Sequence, residues 1–140
     1  MSFIGKFHPL LVHFPIALVL AAAAAELAVT AAPRKGWRTV AVANIRVGAA
    51  MGVVTAITGW LFASSPLVDD ASTFLEWHRW LGMAAAAGAI GTALLSLRLR
   101  VSSHRSMFAY RFTLFVTALL VAITGHLGGT LVWGARFFQP

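Results

Sequence analysis

Apolar residues along this chain neither alternate nor keep to one helical face. They run almost unbroken for about 20 residues at a time and stop at short clusters of charged and turn residues. Four such runs can be read, over residues 10–32, 40–63, 77–97 and 108–134. A helix rising about 1.5 Å per residue crosses the roughly 30 Å hydrocarbon layer of a bilayer in a run of that length. The pattern predicts an all-α integral membrane protein, an up-down four-helix bundle making one transmembrane domain over residues 1–140. The first run exceeds the apolar core of a secretory signal, and Pro9 and Pro15 fit such a core poorly. It is therefore read as the first span.

Composition strengthens this reading. Hydrophobic residues make up 59% of the chain and charged ones 11%, against about 25% charged in ordinary soluble domains. Cysteine is absent, which excludes disulfides, thiolate-held iron–sulfur clusters and covalently attached c-type haem. The net charge of +7 does not point to nucleic acid, because the basic residues fall between the apolar runs. Arg34, Lys35 and Arg38 lie in the first connection, and Arg98, Arg100 and Arg105 in the third. The second carries Asp69, Asp70 and Glu76, with Arg79 just inside the third run. Lysine and arginine accumulate on the cytoplasmic side of membrane proteins. The bias predicts that the first and third connections face the cytoplasm and that both termini lie outside. Trp60, Trp77, Trp80 and Trp133 then mark the outer interface and Trp37 the inner one, where amphipathic rings settle.

That topology collects histidines. His8 and His13 open the first run, in "FHPLLVHFP", and His78 opens the third. His126 lies seven residues before Trp133, or roughly 10 Å inside it along a helix. Only His104, in the basic third connection, falls on the other side. Any one of these is more often an interfacial or capping residue than a ligand. Together they favour one site near the outer face, since ionisable groups inside a membrane usually mark function. Pro9 suits a first helical turn, where its missing N–H has no helical partner. Pro15 frees a carbonyl near position 11 and predicts a kink that aims His13 inward.

The chain also repeats. "AITGWLFA" (56–63) resembles "AITGHLGG" (122–129) at an offset of 66, Arg46 stands near that offset from Arg111, and His13 stands 65 positions from His78. Two duplicated helical hairpins would produce this, related by an axis along the membrane normal. The first and third helices are then diagonal neighbours, with His13 facing His78 across the bundle.

Three kinds of chemistry suit such a site. Two facing imidazoles can hold a b-type haem as axial ligands, with His13 and His78 first and His126 as the substitute ligand. Imidazole also suits copper or zinc, with His8, His13, His78 and His126 as candidates. Without a cofactor, the histidines would relay protons beside a quinone. Gly48/Gly52 and Gly125/Gly129 have GxxxG spacing, which commonly means close helix packing and makes a homodimer plausible. Glu26, the one carboxylate within a run away from its ends, is expected to pair with Arg46 and pin the first helix to the second. No HExxH, CxxC or Ser-His-Asp arrangement supports an enzyme acting alone.

"FHPLLVHFPIAL", "WHRWLG" and "GHLGGTLVWG" together resemble the bacterial membrane family known as domain of unknown function 2231. The resemblance covers nearly the whole chain. It implies a small four-helix inner-membrane protein whose relatives occur beside or fused to c-type cytochrome modules, and hence redox work. The motif histidines carry over as His8, His13, His78 and His126. This chain has no CxxCH of its own, so a separate c-type cytochrome would be its partner. The leading expectation is a membrane electron-transfer protein holding b-type haem near the periplasmic face. The alternatives are a copper or zinc protein at the same histidines, or a non-catalytic anchor or assembly subunit of a respiratory complex.

Overall fold

The computed structural model describes residues 3–32, 36–64, 73–100 and 104–134. The basic Arg34 and Lys35 of the first connection and the acidic Asp69 and Asp70 of the second lie outside the described residues. The helices are α1 (His8–Leu11), α2 (His13–Ala31), α3 (Trp37–Ala63), α4 (Thr73–Leu97) and α5 (His104–Trp133). A 3-10 turn over Gly5–Phe7 leads into α1. With it, α1 and α2 form one span, Gly5–Ala31, so four helical spans are long and apolar enough to cross a membrane. The third and fourth begin four residues earlier than the apolar runs suggest, at Thr73 and His104. Hydropathy marks where a helix enters lipid, whereas its backbone hydrogen bonds continue into the headgroup layer.

The helices form a ring. Hairpins α2–α3 and α4–α5 pack most extensively, and α3 against α4 and α2 against α5 close the circuit. α2 is therefore diagonal to α4. Both Gly5 and Trp133 lie at one end of the bundle, called here the terminal end. Phe108, Phe112, Leu94, Leu119, Trp77 and Trp80 are all exposed, which suits a surface bathed in lipid. Trp60, Trp77, Trp80 and Trp133 are exposed near the terminal end and Trp37 at the other, as two aromatic belts require.

Lipid tails give helices little hydrophobic reason to associate, so close backbone approach must supply the attraction. The core accordingly mixes Val19, Ile45, Tyr110, Leu114 and Val121 with Ala22, Ala49, Ala85, Ala89 and Ala118. A Cβ on Gly48 would stand 3.2 Å from Leu18 Cβ, and one on Gly52 3.9 Å from Ala86 Cα. A Cβ on Gly125 would meet Ile16 at 3.3 Å. Three of the four GxxxG glycines are thus occupied inside the bundle, which weakens the sequence argument for a homodimer face.

The helix of the first span is interrupted at Val12, three residues before Pro15. Val12 still donates to His8 O and Ile16 to Val12 O. Proline at 15 cannot donate to the Leu11 carbonyl, which accounts for the break. The break falls ahead of His13 rather than below it. The turn it sets apart, α1, packs on α3 and carries His8.

Candidate functional site

The ring that meets His78 is His8. Their centroids are 6.2 Å apart, with planes at 78°. His8 Nδ1 lies 3.1 Å from Thr55 O on α3, and His78 Nδ1 lies 3.0 Å from Thr124 O on α5. A carbonyl only accepts, so each Nδ1 carries the proton and donates it. In the neutral ring this leaves Nε2 unprotonated. A backbone carbonyl on the far nitrogen is how proteins commonly fix the tautomer and orientation of a ligating imidazole.

Both rings bring their Nδ1–Cε1 edge against a helix backbone, and glycine makes the space. A Cβ on Gly59 would stand 2.7 Å from His8 Cε1, and one on Gly128 3.0 Å from His78 Cε1. Each carbonyl acceptor sits one turn before its glycine, Thr55 before Gly59 and Thr124 before Gly128. The two half-sites are the same device used twice. Histidine follows histidine after 70 positions, threonine follows threonine after 69, and glycine follows glycine after 69.

This corrects the register of the repeat. The match at an offset of 66 paired Gly59 with Gly125, but the structural counterpart of Gly59 is Gly128. A three-residue slip moves a residue almost one helical turn, and alanine-rich apolar sequence tolerates that slip with little loss of similarity. The shared signal was T-x-x-x-G following a distant histidine, present as Thr55–Gly59 and Thr124–Gly128.

The expected His13–His78 pair is replaced by His8–His78. His13 is exposed, with Nδ1 3.4 Å from Leu10 O, and it reaches only the lining of the cavity below. His126 is also exposed and does not line that cavity. One helical turn carries about 100° of rotation per residue, so the five positions from 8 to 13 place the two first-span histidines on different faces.

A cavity of about 830 Å³ opens beside the pair. It runs from His8, His78 and Trp133 at the terminal end down to Val19, Gly48 and Ala89 in the middle of the bundle. All four spans contribute to its walls, which are mainly apolar and small. That volume falls within the range of cofactor and ligand sites. Arg79 and Trp60 stand at its mouth, the guanidinium 4.4 Å from the ring centre.

The donor set fits some occupants better than others. The two ring centres are 6.2 Å apart and each Nδ1 is engaged by a carbonyl, which leaves the two Nε2 atoms as the donors the pair can offer. Among the described residues no group of three or more His, Cys, Asp or Glu side chains could hold a metal ion. A structural zinc site asks for four ligands. A haem asks the protein for two.

A second polar layer lies toward the opposite end. Glu26, wholly buried, does not pair with Arg46. Its Oε1 accepts from Arg38 Nη2 and Arg111 Nε, each at 2.7 Å. Arg46 instead donates Nε to Ser96 Oγ at 2.9 Å. The reason lies again in the repeat. Ser96 stands 70 positions after Glu26 and is buried like it. Each hairpin sends an arginine from its second helix to the buried polar residue of the other hairpin. Arg111 thus ties α5 to α2 and Arg46 ties α3 to α4, while Arg38, on α3, holds α2 to α3 through the same Glu26 oxygen.

Residues 6–137 match the family described as a predicted membrane protein, DUF2231. The chain belongs to that family. No curated protein and no solved structure matches it. The DUF2231 match covers His8, His78, Thr55, Gly59, Thr124 and Gly128 together, so both half-sites fall within it.

Proposed function

We propose that this DUF2231 protein is a small membrane electron carrier that holds a b-type haem through His8 and His78. The observation that carries the reading is the pair itself: two imidazoles 6.2 Å apart, each tied by Nδ1 to a carbonyl. Haem held in this way supplies reversible one-electron chemistry. The protein's part is to fix both rings by the Thr55 and Thr124 carbonyls, and to line an apolar cavity that excludes water. Arg79 at the mouth would meet any carboxylates presented there. A quinone in the lipid, or a c-type cytochrome outside it, would exchange the electron. The arginines of the first and third connections support an inner-membrane orientation with both termini in the periplasm.

The test is an absorption spectrum of the protein purified in detergent, oxidised and then reduced. A Soret band and reduction-dependent α-band are expected. A preparation that stays colourless after supplementation with haem removes this reading. Copper is the second reading, favoured by the short two-nitrogen donor set. Stoichiometric copper by elemental analysis, without porphyrin, would select it. Zinc fits less well, lacking further ligands among the described residues. Neither group, with co-purifying respiratory subunits instead, would leave the role of anchor or assembly subunit.

A further inference from the structure

The Glu26 layer is out of balance. Arg38, Arg46 and Arg111 bring three guanidiniums to a region where Glu26 is the one carboxylate among the described residues in these contacts. Several of its polar atoms are also unspent. Glu26 Oε2, Arg38 Nε and the Tyr110 hydroxyl are buried without a hydrogen-bond partner. Arg38 Nη1 meets only the thioether of Met107, at 2.7 Å, and sulfur is a weak acceptor. Tyr110 is 0% exposed, and Arg38 lies 5.8 Å from its ring centre. Arg38 and Arg111 keep 28% and 34% of their side-chain surface exposed, so these two side chains separate the buried Arg38 Nε, Tyr110 hydroxyl and Glu26 Oε2 from the outside and would have to shift to admit a ligand.

Buried polar atoms rarely go unpaired, and a water could satisfy the hydroxyl or the carboxylate oxygen. Water leaves the surplus positive charge where it is. An anion removes it and also accepts from Arg38 Nε and the Tyr110 hydroxyl. The free Glu26 Oε2 asks for the reverse, a hydroxyl that donates. We propose that this cluster is a binding site for a phosphate group accompanied by a hydroxyl donor. Inorganic hydrogen phosphate has both on one molecule, and so does the headgroup of a phosphatidylglycerol-type lipid. Phosphate oxygens would take Arg38 Nε and Tyr110 Oη, while the hydroxyl donates to Glu26 Oε2. The site is independent of the histidine pair and stands whether or not that pair holds a cofactor.

The full chain in neutral detergent tests this in two arms. Native mass spectrometry would compare retention of phosphatidylglycerol with phosphatidylcholine of matched acyl chains. Thermal unfolding would compare inorganic phosphate with chloride at equal ionic strength. Retention of phosphatidylglycerol over phosphatidylcholine supports a lipid source, and stabilisation by phosphate over chloride supports a free anion. Arg38→Lys keeps the charge but removes Nε, and Tyr110→Phe keeps the ring but removes the hydroxyl. Each should weaken the preference roughly tenfold, the effect of losing one hydrogen bond to a charged group. Arg105→Gln, at an exposed arginine near the start of α5, should not. No preference in either arm overturns the proposal. So does a preference that survives both Arg38→Lys and Tyr110→Phe, since general attraction to a basic surface would explain it.

Discussion

The imidazole of His8 rests on the backbone of Gly59, so close that a Cβ there would stand 2.7 Å from Cε1 and 2.9 Å from Nδ1. Nδ1 is also the atom that donates to Thr55 O. Any side chain at 59 must therefore push the ring off its acceptor. Gly59→Ala is expected to cost about 1–3 kcal/mol by overpacking, partly offset by alanine's roughly 1 kcal/mol advantage in helix propensity. Gly128→Ala should cost less, because its Cβ would clear His78 by 3.0 Å. Gly129→Ala, with open space at its Cβ, should be neutral or stabilising. Thermal unfolding in detergent, followed by circular dichroism, would rank the three.

Histidine substitutions separate the observed pair from the pair expected on sequence. His8→Ala and His78→Ala should each abolish cofactor binding, read as loss of the Soret band or of bound copper. His13→Ala and His126→Ala should retain it, because one ring stands at the cavity's edge and the other outside its lining. Loss of the cofactor in His13→Ala with retention in His8→Ala would restore the His13–His78 assignment.

Glu26→Gln should be the most damaging single change in the opposite-end layer. It leaves Arg38 and Arg111 without their anion. Breaking a buried pair costs about 3–5 kcal/mol, and the partial exposure of both arginines lowers this to about 2–3 kcal/mol. Arg46→Ala should cost about 1 kcal/mol, the loss of its hydrogen bond to Ser96. Equal losses in the two variants would argue for a Glu26–Arg46 pair after all. Denaturant or thermal unfolding in detergent supplies the comparison.

Gly88 on α4 packs closely against Thr117 on α5. A Cβ on Gly88 would stand 2.5 Å from Thr117 Oγ1. Gly88→Ala should destabilise by about 1–3 kcal/mol. Removing the hydroxyl as well, in Gly88→Ala/Thr117→Ala, should recover part of that loss, giving a coupling of about 1 kcal/mol in a double-mutant cycle. Strict additivity would mean that the two helices separate freely at this point.

Hydropathy alone specified four membrane helices, their up-down order and the layering of their tryptophans. The reason is thermodynamic: a backbone in lipid must satisfy its own hydrogen bonds, so length and apolarity leave almost no alternative to a helix. That histidines from distant parts of the chain gather at one end was legible as well, because depth in a membrane follows from counting residues. Rotation about each helix axis was not legible. These helices are apolar nearly all round, so no polar face says which way His8 or His13 points. A slip of one turn in the repeat costs nothing in such sequence, and it hid the equivalence of His8 with His78 and of Gly59 with Gly128. Only tertiary packing chose the partners, since the imidazoles settle where glycine admits a ring against the helix, and Glu26 settles where two guanidiniums from other helices can reach it.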